Sequence, residues 1–576
     1  MLMPRVTWRH LAARWSSTFV WIAIGWIVVF WRLGYASLLD PDEAHYAELT
    51  REMMHSGSWL VPLLDGKPFI DKPVLFHWLQ GASVLFLGET EFAARLPTAV
   101  SAVGLFAITR WVGRALFDDE IGSLGAIMFA TIPATFALAS IAIFDMVFAL
   151  FLFGALGALL VAAKRSSVRT ELCGYALLTL AVMTKGPVAL VLIALFLAAG
   201  FLVSSETQLH LRRLHWKIGL PVVAIAASPW FLWMQWRFGD EFVKGYLLAG
   251  NLWYVTQPIE FSARAINHTF YIRAFAGAFF PWSTVVAGRG IDVIQQLRRN
   301  ESLVIGERLL WVWTLVVVGF FTIARFKLDH YIFPAAPACC LLAAHAWREA
   351  SRDATGKLWG TRCGVLLIAG ILIVGGSFGA IALSQLNLAL PVWAFVLPAA
   401  IFAGGAALLF QSEQIGWRVP AGIGALVAML LVSYATVVAV GFPALEQVRP
   451  TARVARHLAR VTSPNAPVGL YRLERWRGSL RYYLNRPIQR LETIDEVSAF
   501  LSQSEPAYVV MLRRDYLDLR ERGVPVHLLT AHRAVIGTTG HGLRRQRWGF
   551  LVVVSNVPRR PRTDGMSRYL HSPLSD

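Results

Sequence analysis

The chain has 576 residues, of which 56% are hydrophobic and only 16% charged, where soluble domains carry about 25% charged residues. Apolar runs of about 20 residues recur along most of it, which excludes a water-soluble globule and predicts a polytopic α-helical membrane protein. Lys and Arg number 54 against 36 Asp and Glu, a net charge of +18; these bases sit in short loops between apolar runs and in the last quarter of the chain, so they read as orientation signals and lipid contacts, with no nucleic acid as partner.

In chain order, a basic N-terminus leads into Val20 to Phe30, and the apolar run continues to Leu39 without a small-residue cleavage site. That predicts a retained first span instead of a removed signal peptide. Apolar runs give thirteen candidate spans, near 18-38, 92-113, 120-137, 142-163, 171-184, 186-203, 217-236, 271-289, 308-325, 331-347, 363-384, 391-411 and 420-441. Arg5, Arg9 and Arg14 precede the first span, and the clusters Arg110/Arg114, Lys164/Arg165/Arg169, Arg212/Arg213/Lys217, Arg298/Arg299 and Arg348/Arg352/Lys357/Arg362 all fall on the same side. The positive-inside rule makes that side cytoplasmic, and an odd span count puts residues 442-576 outside. The stretch 74-88 is apolar but short, and reads as an interfacial or re-entrant helix. Cys173, Cys339, Cys340 and Cys363 lie in apolar runs and read as small buried hydrophobes.

Two domains are therefore expected, a transmembrane domain over 1-441, with outer loops 39-91 and 237-270, and an extracytoplasmic α/β domain over 442-576. Beyond Pro443 the runs PVGLYRL, SLRYYL, AYVVML, VPVHLL and WGFLVVVSN read as strands, with the helical ETIDEVSAFLSQ among them. This region carries ten arginines from Arg449 to Arg490, including Arg453, Arg456, Arg477, Arg481 and Arg486, and no lysine follows Lys357. Guanidinium forks suit phosphate or carboxylate recognition, although a solvated basic surface explains them equally well. The segment from Pro558 is polar and reads as disordered.

Charges inside a bilayer cost about 2.5–3.5 kcal/mol each on insertion scales, so ionisable residues at the ends of spans mark function. After the first span, Asp40-Pro41 starts a short helix in which Asp42, His45 and Tyr46 fall at i, i+3 and i+4, hence on one face. Asp65, Lys67, Asp71 and Lys72 follow in a loop punctuated by Gly66, Pro68 and Pro73. Asp145 is an isolated carboxylate near the outer end of the fourth span; its structural alternative is an acid paired with a neighbouring hydroxyl or lysine. Lys185, the group Arg325, Lys327, Asp329, His330 and Tyr331, and the loop residues Glu241, Lys244, Asn251, Tyr254, Glu260, Arg264 and His268 are placed on the same outer side. A carboxylate at the lipid boundary can act as general base toward a hydroxyl while cations stabilise a phosphate leaving group.

The segment PDEAHYAELTREMMHSGSWLVPLLDGKPFIDKPVLFHWLQ, from Pro41 to Gln80, resembles the integral-membrane GT-C glycosyltransferases, in particular the bacterial branch of the protein O-mannosyltransferase family that includes the aminoarabinose transferase of lipid A. The likeness continues through EFAARLP at 91-97, Asp145, TKGP at 184-187 and HYIFPAAPA at 330-338, and covers roughly 18-345. It implies a GT-C fold, a polyprenyl-phosphate-linked sugar as donor, inversion at the anomeric centre, and an anionic lipid or glycan acceptor such as lipid A, at the periplasmic face of a bacterial inner membrane. It implies Asp42 and Asp145 as catalytic acids, with His45, Tyr46, Lys72, Lys185, Arg264 and Tyr331 around the donor. The family often has Arg where His45 stands, and Glu, part of a metal site in the aminoarabinose branch, where Asp71 stands. Asp71 is thus the one metal-ligand candidate for a divalent ion, and the later loop offers Asn251 and the more distant His268 where a histidine ligand is expected. The alternative function is a lipid-linked sugar flippase or transporter, which would share the cavity and the bases but place its charges on broken helices near the midplane.

Overall fold

The structure is a computed structural model that describes residues 25–256, 269–353, 355–385, 390–414, 419–473, 476–537 and 546–558. The chain divides into two compact units: Met1–Leu33, Ile70–Phe86 and Arg95–Val440 form the first, and Gly34–Phe69, Leu87–Ala94 and Gly441–Asp576 the second. The last junction lies between Val440 and Gly441. The acidic block after the first span, expected to belong to the transmembrane domain, clusters instead with the tail, for a reason visible in its ion pairs below.

The first unit is helical. Among the described residues, seven helices are long and apolar enough to cross a membrane, or eight if one bent pair counts as a single span. The helix Phe144–Arg165 is apolar all round and buried along nearly its whole length, the signature of a helix at the centre of a bundle. By contrast, Trp216–Phe238 turns Ile218, Ile225 and Leu232 outward, each at least 65% exposed, as lipid-facing positions do.

Prolines account for most departures from the expected runs. The 120-137 run is two helices, Asp119–Thr131 and Pro133–Ala139, bent by 65°, because Ile132 before Pro133 is extended. The 271-289 run breaks into Phe270–Ala278 and Trp282–Arg298 around Pro281, and the 331-347 run opens with a 3₁₀ turn, Asp329–Ala335, before the helix Ala336–Arg352. Leu75–Leu87 has 13 residues, too few to cross a bilayer. Cys339 and Cys340 are buried, but Cys173 and Cys363 are exposed, a correction to the expectation of four buried thiols. An apolar position in a membrane helix serves the lipid-facing side as readily as the core.

The second unit holds a five-stranded mixed sheet. Its strands are β1 (Val468–Tyr471), β2 (Gln489–Leu491), β3 (Tyr508–Leu512), β4 (His527–Gly537) and β5 (Gln546–Ser555), in the spatial order β2-β1-β3-β5-β4. β1 runs parallel to β2 and β3, whereas β5 is antiparallel to both β3 and β4. Alternate residues of β3 feed two cores: Tyr508, Val510 and Leu512 pack with Val454, Leu458, Leu480 and Leu484, while Val509 and Met511 pack with Val497, Phe500, Tyr516 and Leu519. Helices Thr451–Val461 and Arg477–Leu484 therefore cover one face, and Ile494–Leu501 and Arg513–Glu521 the other. Burial on both faces explains why β3 and β5 read as unbroken apolar runs. SLRYYL, expected as a strand, is helical; its Leu480 and Leu484 stand one turn apart and enter the same core. The segment expected to be disordered after Pro558 lies outside the described residues.

Candidate active site

In the first unit, the helix Phe144–Arg165 begins just before Asp145, and the helix Val168–Lys185 ends on Lys185 with Gly186 as its cap. Ile143 is extended, so the helix starts abruptly and carries Asp145 in its first turn. Lys185 Nζ lies 2.6 Å from Asp145 Oδ1, and both side chains are nearly buried, at 10% and 6% exposure. His330 Nε2 stands 3.5 Å from the other carboxylate oxygen. The ammonium also sits over the Tyr331 ring, 4.5 Å from its centre, and 5.4 Å from that of Phe148. Two aromatic faces and a carboxylate thus hold the Lys185 ammonium in place.

Asp71 and Lys72 belong to the same neighbourhood. Lys72 Nζ pairs with Asp71 Oδ2 at 2.9 Å, and Lys185, His330 and Lys72 all act electrostatically on Asp145. Around them close Tyr246, Gly250 and Asn251. Asn251 donates to the Tyr246 backbone carbonyl at 2.7 Å, and a Cβ on Gly250 would stand 2.9 Å from Asp71 Oδ1. Tyr246 is fully buried against the face of Phe242, their ring centres 5.1 Å apart. Lys327, also on the expected outer side, is committed elsewhere: it donates to the carbonyls of Phe321, Thr322 and Ala324 at the end of the preceding helix, Ile305–Ile323.

In the second unit, the helix Asp42–Ser56 carries Asp42, His45 and Tyr46. Of the acids in this block, Asp42 is exposed while its neighbours are structural. Glu43 is buried and accepts from the Leu39 amide at 2.7 Å. Asp40 accepts from the Ser479 amide at 2.9 Å and from the Ser479 hydroxyl. His45 meets Phe69 edge-on, with ring centres 4.9 Å apart. Gly478 packs at the backbone of Ala44 and His45, where a Cβ would stand 3.1 Å from the His45 nitrogen.

The tail arginines explain why this block clusters with the tail. Arg481, 8% exposed, donates to Glu48 at 2.7 Å and to Glu52 at 2.8 Å; Arg477 pairs with Asp65; Arg51 reaches both Glu48 and the Tyr482 carbonyl. Arg456 pairs with Glu91 at 2.7 Å. Arg486 and Arg453 hold carbonyls within the unit. Several arginines that read as a surface for phosphate or carboxylate ligands thus bind the chain's own carboxylates and carbonyls.

The first unit therefore gathers Asp71, Lys72, Asp145, Lys185 and Tyr331, and the second holds Asp42, His45 and Tyr46. Arg264 lies outside the described residues, as does His268. His330, Tyr246 and Gly186 are the residues the sequence reading did not place in the site. His330 stands beside Tyr331 in a motif already singled out; Tyr246 has no local signal, since only folding brings its ring to Gly186. Among the described residues, no three His, Cys, Asp or Glu side chains come together to hold a metal ion. Asp71, the metal-ligand candidate, pairs with Lys72.

The chain has a GT-C fold, as its likeness to solved structures shows. Residues 71–233 match the family described as dolichyl-phosphate-mannose-protein mannosyltransferase. The undecaprenyl phosphate-alpha-4-amino-4-deoxy-L-arabinose arabinosyl transferase of Serratia proteamaculans is 27% identical over 323 residues, 54% of this chain and 55% of that protein. A transferase of the same description from Sodalis glossinidius is 29% identical over 367 residues, 59% of this chain and 62% of that one. The chain thus spans 55% to 62% of the length of these curated relatives. The crystal structure of ArnT from Cupriavidus metallidurans bound to undecaprenyl phosphate superposes with a TM-score of 0.72 at 22% identity, covering 95% of this chain and 98% of that one; the likeness is one of fold.

Proposed function

We propose that the chain is an inverting glycosyltransferase that moves a sugar from a polyprenyl-phosphate carrier to an envelope acceptor, lipid A or another glycolipid, at the periplasmic face of a bacterial inner membrane. The carrying observation is the nearly buried Lys185–Asp145 pair with Lys72 and His330 beside it. Two lysines at the end of a helix bundle suit a phosphodiester whose tail lies in the bilayer. Relatives named as undecaprenyl-phosphate aminoarabinose transferases support the choice of donor class.

In this reading the acceptor oxygen attacks the anomeric carbon as the carbon–oxygen bond to the phosphate breaks, and the electron pair leaves with the phosphate. Lys185 and Lys72 stabilise the charge that develops there, and Asp145 holds Lys185 pointing at it. Tyr331 lines the sugar side and fixes the ammonium from above. Asp42 takes the proton if the acceptor is a hydroxyl; toward an acceptor phosphate, already ionised, it only orients. His45, Tyr46 and Arg264 stay as donor-side candidates. The thirteen spans, which place the second unit outside, belong to the same proposal.

A flippase would need its charges near the midplane; Asp145 and Lys185 stand at the ends of their helices. The test is to incubate the purified protein in lipid with radiolabelled polyprenyl-phosphate sugars and membrane extract and to identify the labelled product, alongside Asp42→Asn. Transfer by the wild type and its loss in the folded variant are expected. Labelled carrier crossing the membrane with no transfer would overturn the proposal.

A further inference from the structure

Each lysine of the candidate site already faces a carboxylate. Lys72 pairs with Asp71 at 2.9 Å and Lys185 with Asp145 at 2.6 Å, so the two pairs cancel. The donor of the proposed function, on which this inference rests, is a phosphodiester that stays ionised at physiological pH and brings one negative charge. Once it lies on Lys185, two anions share one ammonium. The Lys185 and Asp145 side chains are nearly buried, so water screens that surplus charge poorly. Surplus negative charge draws a proton onto the nearest base able to hold one.

His330 is that base. Its Nε2 stands 3.5 Å from Asp145 Oδ2, whereas Lys185 holds Oδ1. The imidazole side chain is 25% exposed against 6% for Asp145 and 10% for Lys185, the most accessible of the three. Histidine is also the side chain whose ordinary titration falls near neutral pH, far above that of a carboxyl. The turn Asp329–Ala335 that carries it packs on the helices Phe144–Arg165, Phe270–Ala278 and Ile305–Ile323. Besides Asp145, these bring Tyr271, whose hydroxyl donates to the Leu328 carbonyl at 3.2 Å, and the uncharged Phe321 against the Tyr331 ring. Asp329 and Tyr331 flank the histidine on the turn itself, the helix Ala336–Arg352 that follows has no acid in its first turn, and Lys72 acts on Asp145 from the remaining side. Among the described residues, Asp145 is the acid within ion-pair reach of the His330 ring.

We infer that His330 is a positioning residue that takes up a proton as the anionic donor binds, so that Asp145 stays compensated while Lys185 serves the phosphate. The proton comes from solvent and returns there when the carrier leaves. It enters at Nδ1, because the carboxylate beside Nε2 favours the neutral tautomer with its hydrogen on Nε2. The ring then holds its proton more tightly in the complex than in the free protein. Donor affinity is therefore full below the titration of the free protein and declines as pH rises through that of the complex.

The test is isothermal titration calorimetry of the full-length protein in neutral detergent with farnesyl methyl phosphate, a prenyl phosphodiester of one fixed charge. Titrations in PIPES and in imidazole, at equal pH and ionic strength, count the protons bound per probe, and farnesol is the uncharged control. The wild type is expected to take up about half a proton per probe at pH 7 and to bind about fivefold more weakly at pH 8 than at pH 6. His330→Gln is expected to bind without proton uptake and with a flat pH profile. His330→Arg, whose charge is fixed, is expected to bind at pH 8 as tightly as at pH 6, also without uptake. Binding by the wild type without proton uptake, uptake undiminished in His330→Gln, or equal uptake with farnesol would overturn the inference and leave the donor reading in place. The first of these outcomes needs no variant to fold. No binding of the phosphodiester at any pH would overturn the donor reading, and this inference with it.

Discussion

Gly186 and Tyr246 are locked together: a Cβ on Gly186 would stand 2.0 Å from the Tyr246 hydroxyl oxygen. Gly186 caps the helix that ends on Lys185, with φ 87° and ψ −154°, a region essentially reserved for glycine. The buried tyrosine thus sets how Lys185 leaves its helix. Gly186→Ala is expected to cost about 1–3 kcal/mol from backbone strain, with more from the clash, and to lower transfer more than stability. Thermal unfolding and donor turnover measured side by side check this; unchanged turnover in a folded variant would unlink the cap from the site.

The Lys185–Asp145 pair predicts non-additivity. Removing one partner of a buried pair leaves a charge uncompensated, at about 3–5 kcal/mol. Asp145→Asn and Lys185→Met are each expected to destabilise the protein more than the two combined, since the double variant buries no lone charge. If Lys185 meets the donor phosphate, Lys185→Arg should restore part of the donor KM. A double-mutant cycle on unfolding midpoints and a donor titration separate the two roles.

In the second unit, Arg481 is the hub that ties Glu48 and Glu52 to the helix Arg477–Leu484. Arg481→Met should free this helix from Asp42–Ser56, again at about 3–5 kcal/mol. Hydrogen exchange would show faster exchange over 42–56 and 477–484, with the β3–β5 core unaffected. Uniform exchange throughout the unit would argue that the two segments unfold with the sheet.

His532 on β4 predicts an acid limit for the sheet. Burial first, then the charges of Arg453 and His457, lower its pKa to about 4 from the usual value near 6.5. The folded state prefers the neutral ring, so the stability it contributes is complete above about pH 6.5 and declines as pH falls toward 4. Allowing for its partial exposure, the loss is about 1–2 kcal/mol. Unfolding measured between pH 7.5 and 4.5 should show this decline in the wild type and a flatter profile in His532→Gln.

The long apolar helices, and the acids and lysines at their ends, were legible in the sequence, because burial in lipid demands long apolar stretches and makes each exception informative. TKGP pointed to Lys185 and the isolated Asp145 to its partner, since a lone carboxylate in an apolar helix has few stable fates. The strands β3 and β5 were equally plain from composition. SLRYYL misled because a short run with two leucines fits a strand or a helix until the neighbouring surface chooses.

What tertiary structure alone decided is which charges are used up at home. From composition, Arg481, Arg486 and Lys327 look like any other cation; the fold spends Arg481 on carboxylates and Arg486 and Lys327 on carbonyls, and pairs Lys185 with Asp145 against two aromatic faces. Likewise Asp40, Asp42 and Glu43 are neighbours in one motif, yet only packing separates the two structural acids from the exposed one. The physical reason is that hydropathy acts residue by residue along the chain, whereas the pairing of charges depends on distances between segments hundreds of residues apart, as with Glu48 and Arg481.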